Sequence, residues 1–260
     1  ELSPALKETI ASLSSNDAIL AKTLSQVPSV IARAALLDKS KPSVTVKQTP
    51  TLVIGESPLL YLHSFPTELI NLPEIEAAAT GRGYINDTRD ADGVVRAMPL
   101  VIAVNGTPAP ALALEVLRVA TGEKQYSIRT NRNGVIGVQI GNSLIRTDPD
   151  GRLRLYFSPA YAARQVSAAA ILKGEVKADA LAGQVAIIGA TALGVSDVVA
   201  TPSSSRTDGV EIQAQLVENM LEGSRLQRPR SAAWWELLAL LALALPLIFF
   251  LPRLRHTRRR

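Results

Sequence analysis

Residues 232–251 read AAWWELLALLALALPLIFFL, twenty positions in which Glu236 is the only charge, so a helix built from them has no polar face. At 1.5 Å per residue that length crosses the hydrocarbon core of a bilayer. The sequence therefore predicts one C-terminal transmembrane helix over 230–252. Trp234 and Trp235 stand at its start, where indole rings favour the headgroup boundary, and Arg253, Arg255, Arg258, Arg259 and Arg260 follow its other end. Glu236 lies within a turn of the interface, and Pro246 is tolerable in a spanning helix as a source of a kink. Five arginines after the span outweigh Arg225, Arg228 and Arg230 before it. That bias makes 253–260 a basic cytoplasmic stub and 1–229 an extracytoplasmic domain in the inner, or cytoplasmic, membrane, facing the periplasm or the cell exterior. The chain opens on ELSPALKETI, without Met or a signal peptide, and ends on HTRRR directly after the span. Both ends read as the ends of a fragment.

The net charge of +5 and the pI near 9.6 raise the question of nucleic acid, and location answers it. Setting the five tail arginines apart from the 28 basic residues leaves 23 against 23 acidic ones. A neutral body with 4% aromatic residues lacks the footprint that phosphate backbones require, so no nucleic-acid partner is expected. The absence of Cys removes disulfides, thiolate nucleophiles and zinc thiolate sites together. Only His63 and His256 remain for imidazole chemistry, and no metal or cofactor is expected.

The body reads as α/β, a mixed β-sheet with packed helices. A helix runs to Leu24 with Asn16 and Asp17 as capping candidates, Pro28 closes it, and SVIARAALL is a strand. Residues 39–66 are a Pro- and Ser-rich connection with short extended pieces. Residues 72–80 form a short helix from Pro73, which Gly81 to Gly83 stop. GYIND and GVVRAMPLVIAV are strands joined by Asp90-Ala91-Asp92-Gly93, a hairpin signal. Residues 109–121 are a helix with Gly122 as its stop. VIGVQIG, SLIRT and RLRLYFS are strands, the last two joined by Asp148-Pro149-Asp150-Gly151. The two turns share an Asp-x-Asp-Gly pattern followed by a strand carrying Arg96 or Arg154. Neither supplies the alternating ligands and distant Glu of a calcium loop, so both read as hairpins. Residues 166–174 and 207–222 are further helices, the latter capped by Gly223. Between them 185–188 is an apolar run ending in Gly189, read as a strand buried on both faces.

Open α/β sheets bind ligands beyond the carboxyl ends of their strands, which directs attention to the loop after Ile188. Its candidate ligand-binding residues are Thr191, Ser196, Asp197 and Thr201, with Glu211 on the following helix. The same Asp197 and Thr201 equally fit a structural role, tying down a long loop by side-chain hydrogen bonds. Gly189 to Gly194 has the spacing of a phosphate loop, but Val195 stands where its lysine belongs, and no Gly-x-Gly pair opens a dinucleotide fingerprint. No Gly-x-Ser-x-Gly elbow exists, and His63 sits in an irregular segment, which argues against a serine hydrolase. Asp197 and Glu211 are the one carboxylate pair suggested for acid–base chemistry, and their separation is not legible. No catalytic residue is assigned.

The stretches GYINDTRDADGVVRAMPL, PALALEVLRVATG and VAIIGATALGVSDVVATP…DGVEIQAQLVENMLEG, followed by a Trp-rich apolar helix, resemble the CHASE domain of the second type. That resemblance covers nearly the whole chain in order. It implies an extracellular, non-catalytic sensing module of bacterial receptors whose cytoplasmic outputs include nucleotide cyclases, histidine kinases and diguanylate cyclases. Its family-like positions here are Gly83, Asn86, Asp92, Gly93, Arg96, Gly189, Ala190, Thr191, Asp197, Thr201, Pro202, Gly209, Glu211 and Asn219, most of them expected to hold the fold. Gln213 stands where His is common in the family, which argues against a proton switch there. The resemblance also implies an acidic strand-helix-strand portion before a segment like Ser3-Pro4, and further membrane helices with an output domain after Arg260. The expected partners are a small-molecule or envelope ligand, the membrane and a second copy of the chain. A membrane-tethered periplasmic hydrolase and an envelope protein-interaction module are the competing classes.

Overall fold

The computed structural model describes residues 15–38, 48–158, 164–192, 197–224, 226 and 231–257, with the side chains of 233 and 249–257 outside the described set. The chain divides into two units, one through Arg225 and one from Leu226. The first begins with α1 (Asn16–Gln26). Its cap is Ser15, one residue before the expected Asn16 and Asp17: the Ser15 hydroxyl accepts from the Ala18 N–H at 3.0 Å. Then follow β1 (Val30–Leu36), β2 (Thr51–Ile54), a 3-10 turn at Pro58–Leu60, β3 (Ser64–Phe65), β4 (Thr67–Leu69), α2 (Pro73–Ala78) and β5 (Gly81–Tyr84). The next elements are β6 (Ala97–Pro99), β7 (Val101–Val104), β8 (Thr107–Pro110) and α3 (Leu112–Ala120). They are succeeded by β9 (Tyr126–Asn131), β10 (Gly134–Ile140), β11 (Ser143–Arg146), β12 (Arg152–Arg154), α4 (Ala168–Leu172), β13 (Val198–Thr201), β14 (Ser204–Asp208) and α5 (Gly209–Glu222). The second unit holds α6 (Ala232–Thr257).

The mixed α/β character is present, but the strands are shared among several small sheets where a single mixed one was expected. β1 lies between antiparallel β4 and parallel β5, and β7 between parallel β3 and antiparallel β8. One parallel bridge, Tyr84 to Ala111, links these two sheets. β9, β10 and β11 form a meander with β2 added in parallel, while β6 pairs β12 and β13 pairs β14. Proline explains part of the division. Pro99, Pro108 and Pro110 lie inside β6 and β8 and have no N–H to donate, so pairing cannot spread across them.

The β7–β8 hairpin corrects the expected helix at 109–121, which starts only at Leu112. Its turn is Asn105-Gly106, both with positive φ (50° and 71°), the backbone that a two-residue hairpin requires. β9 and the β13–β14 hairpin are also additions to the sequence reading. The largest correction concerns 185–188, expected as a strand buried on both faces. None of the described strands pairs with it, and Val185 and Ile188 are 44% and 94% exposed. A strand buried on both faces needs a neighbour on each side to take its N–H and C=O groups, and β13 and β14 pair with each other.

The twin Asp-x-Asp-Gly turns are alike in detail. Gly93 donates to the Asp90 carbonyl and Gly151 to the Asp148 carbonyl, both at 2.9 Å. The Asp90 and Asp148 N–H groups reach back to Val94 and Arg152 at 3.0 and 2.8 Å. Neither turn pairs the two strands it was expected to join: β5 pairs β1, leaving one antiparallel bridge, Thr88 to Ala97, across the first turn, and the second delivers β12 to β6, which lies after the first turn. Arginines then bind each turn's acids: Arg96 donates to Asp90 at 2.9 Å and to Asp92 at 2.7 Å, and Arg152 to Asp150 at 2.5 Å.

One apolar core joins these layers. Leu100, Val101, Leu114, Ile128, Val138, Leu155, Ile212 and Leu216 are among its fully buried members, drawn from strands, loops and both α3 and α5. A smaller cluster of Ala35, Tyr84, Ile102, Val104 and Ala109 fills the space around β1, β5, β7 and β8. In the second unit, Trp234, Trp235 and the described leucines of α6 are exposed. Among the described residues no helix is long and apolar enough to cross a membrane.

Gly83 marks the tightest contact of β5 with α3. A Cβ there would lie 2.5 Å from the Leu112 Cα and 2.8 Å from the Ala111 carbonyl oxygen, both backbone atoms that cannot step aside. Gly83→Ala is expected to destabilise the domain by about 1–3 kcal/mol, as overpacking does, measured as a lowered urea midpoint with unchanged slope. Hydrogen bonds from Arg96 and the Val94 N–H hold the Asp92 carboxyl down to about 2. A depressed carboxyl stabilises the fold above its unfolded value near ~4 and loses that effect as the pH falls toward the folded value. NMR titration of Asp92 should give a midpoint near 2, returning to about 4 in Arg96→Gln.

Candidate functional site

α5 is the element on which polar and apolar demands meet. Its sequence GVEIQAQLVENMLE places Ile212, Leu216 and Met220 four residues apart, and with Val217 they enter the core. Gly223, at φ 70°, ends the helix in the left-handed conformation that favours glycine. At the other end the Gly209 N–H donates to the Asp197 carbonyl at 2.8 Å. Glu211, Gln215, Glu218 and Asn219 then form a polar stripe at helical spacing, and all but Glu218 are buried.

Each member of the stripe is engaged. The Tyr156 N–H donates to Asn219 Oδ1 at 2.7 Å, and Asn219 Nδ2 donates to the Tyr156 carbonyl at 3.2 Å and the Gln215 carbonyl at 2.8 Å. Gln215 Nε2 donates to Glu211 Oε1 at 2.9 Å and to the Ser158 carbonyl at 3.5 Å. Arg164 donates to Glu218 at 2.9 Å and to Ser158 Oγ at 2.8 Å, and its Nη1 lies 3.8 Å from Glu211 Oε1. Gln165 Nε2 reaches Glu211 Oε2 at 3.5 Å. The side-chain oxygens of Gln213 and Gln215 are buried and find no donor among the described residues.

The residues singled out in the sequence are dispersed around this helix. Thr191 is exposed beyond the 185–188 segment, and Ser196 lies outside the described residues. Asp197 is exposed; its carboxylate lies 4.0 Å from Arg89 while its carbonyl holds the start of α5. Thr201 is buried in a hydroxyl set of its own hairpin, 3.0 Å from Thr207 Oγ1 and 3.3 Å from Ser203 Oγ. Glu211 alone belongs to the buried polar stripe. The Asp197 and Glu211 carboxylates therefore engage different partners, Arg89 for one and Gln215, Gln165 and Arg164 for the other. Arg164, Gln165, Gln215 and Glu218 escaped the sequence reading. The recurrence of polar residues at 211, 215 and 219 on an amphipathic helix was the signal available.

A second set of buried charges lies around α2 and α3. Arg33 donates to Glu76 at 3.1 and 2.5 Å and lies 3.7 Å from Glu68, to which the Tyr84 hydroxyl donates. Burial pushes the Glu76 carboxyl up, but hydrogen bonds from Arg33 and Asn71 outweigh it and hold the carboxyl below its ordinary range. Burial and the neighbouring Glu68 raise the Tyr84 hydroxyl, so it stays a proton donor. Glu115, fully buried, takes Arg118 at 2.9 and 2.7 Å and the Thr49 hydroxyl at 2.6 Å. Among the described residues no group of three His, Asp or Glu is placed to hold a metal ion.

The model of the CHASE2 domain family matches residues 4–249, nearly the whole chain. The chain belongs to the CHASE2 family, an extracellular sensory domain family of signalling receptors. No curated protein and no solved structure matches it at a significant level. Several family-like positions have structural duties here: Gly83 admits α3, Gly93 and Arg96 build the first turn, and Asn86 pairs with both backbone groups of Ala35 at 2.8 Å.

Asn219 does for Tyr156 what Asn86 does for Ala35, presenting one side-chain amide as if it were a strand. Asn219→Ala leaves the Tyr156 N–H and carbonyl unpaired beside the core. It is expected to cost about 1–3 kcal/mol for the unsatisfied groups, seen in chemical denaturation, with Asn219→Asp recovering only the half that accepts a bond.

Proposed function

We propose that residues 1–229 are the extracytoplasmic sensing domain of a bacterial transmembrane receptor. In this reading α6 and its flanks, 230–252, cross the inner membrane, and 253–260 face the cytoplasm. The observation that carries the reading is the build of α5. Its apolar face is committed to the core while its polar stripe rests on hydrogen bonds that a ligand can replace, two of them at 3.5 Å. From Gly223 only a short connection leads in sequence to α6, so displacement of α5 has a route to the bilayer.

Two features of the sequence support the membrane assignment. Residues 232–251 are twenty positions with Glu236 as the only charge, the length and composition of a span. The tail arginines favour the cytoplasmic side. A ligand acts by binding one α5 position better than another, since equal affinity shifts nothing. A shift of one membrane helix is readable only against a second, so the receptor works as a homodimer. Its output is a nucleotide cyclase or a histidine kinase, as the family's place in signalling receptors suggests. The domain itself senses and does not catalyse.

Topology is the direct test. With an export signal placed before residue 1, a reporter enzyme that folds only outside the cytoplasm should be active when inserted after residue 224 of the full chain and inactive when fused after residue 260. Equal activity at both points refutes the receptor reading.

A further inference from the structure

The polar stripe of α5 also specifies what kind of molecule it receives. Gln215 Nε2 has two acceptors on its side, the Glu211 carboxylate and the Ser158 carbonyl, which fixes the orientation of the amide. The reverse orientation would set the amide oxygen against both of them. Gln215 Oε1 is therefore the free end, and it is buried without a donor among the described residues. Oxygen and nitrogen of one amide are about 2.3 Å apart by bond geometry, so this acceptor lies beside the Glu211 carboxylate that its own nitrogen holds at 2.9 Å. The surrounding charge has the same sign. Glu211 and Glu218 are two carboxylates around one guanidinium, Arg164, which spends its closest bonds on Glu218 and Ser158. The cluster thus carries a formal excess of one negative charge and a surplus of acceptors.

Gln165 is the exposed residue that touches the Glu211 carboxylate. Arg164 and Glu218 are part-exposed, and Glu211, Gln215 and Asn219 form the buried floor. The bond that Gln165 makes to Glu211 is the longest this carboxylate has, so Gln165 is the side chain an incoming group displaces.

We propose that this cluster, Glu211, Gln215 and Glu218 with Gln165 at its rim, binds a small organic cation with N–H donors, a primary ammonium or a guanidinium. One N–H donates to Gln215 Oε1, the cationic centre lies against Glu211, and Gln165 swings out. The assignment rests on the sensor reading only for its consequence, since binding itself is independent of signalling.

Calorimetric titration of the full chain in nanodiscs with propylammonium, putrescine and methylguanidinium chlorides tests it. Saturable binding is expected for these and not for tetramethylammonium, which has no N–H. Glu211→Gln and Gln215→Leu should each weaken it at least about tenfold, as loss of a charged or buried partner does. Gln165→Ala, an exposed change that leaves the fold intact, should tighten it about two- to fivefold by removing a weak bond that the ligand must break. Equal binding of tetramethylammonium, binding of calcium in its place, or no response to Gln165→Ala together with either floor variant in a folded protein overturns the site. The chain has no cysteine, so the cross-linking yield of Ser224→Cys between copies reads the sensor function separately. Ammonium binding with an unchanged yield keeps the site and removes the sensor reading. A yield that responds to another stimulus without ammonium binding does the reverse.

Discussion

α5 must satisfy two environments that differ in how they tolerate displacement. Leu216 is 0% exposed and Ile212 1%, and burial of such side chains supplies most of the energy that docks the helix. That energy is non-directional and changes little with a small slide or rotation. The bonds of Asn219 to Tyr156 and of Gln215 to Glu211 and Ser158 are directional and weaken steeply off geometry. The core therefore holds α5 in place while the polar stripe decides where along its groove it rests. The two kinds of contact are thereby separated on one helix.

The buried charges of α2 and α3 are held differently. Both oxygens of Glu76 are taken, by Arg33 and Asn71, and both oxygens of Glu115 by Arg118 with Thr49 on one of them. Breaking a buried pair of this kind leaves an uncompensated charge and costs about 3–5 kcal/mol. Through these bonds Arg33 ties β1 to α2, while Arg118 and Thr49 hold Glu115 of α3. On α5 the side-chain oxygens of Gln213 and Gln215 have no donor among the described residues.

How much of this could be read from the residues depends on the range of the interaction concerned. Pro73 and Gly223 punctuate α2 and α5 through their own backbone preferences, and both were legible. So were the twin turns, whose Asp-x-Asp-Gly chemistry is local. Asn105-Gly106 is an equally local hairpin signal absent from the sequence reading, and the apolar run PALALEVL behind it puts the last two residues of β8 into the expected helix. The apolar run 185–188 was misplaced for the opposite reason. Its composition asks for a strand, but a strand exists only where neighbours supply hydrogen bonds, and that is decided by distant chain. The site was legible only in part. Glu211 was visible as an acid on a helix, whereas Gln215, Arg164 and Gln165 become meaningful once a segment 46 residues from Glu211 folds against it.

The loop singled out in the sequence still has a place in this scheme, though not as a pocket of converging side chains. Its two ends both bear on the first turn of α5. A Cβ on Gly189 would lie 2.7 Å from Val210, so that glycine allows the chain to pass directly against the helix, and the Asp197 carbonyl takes the Gly209 N–H. Asp197 turns its carboxylate toward Arg89, which also donates to Asp87 at 3.0 Å. Asp197 therefore connects Arg89 at the surface to the start of α5 through one backbone bond.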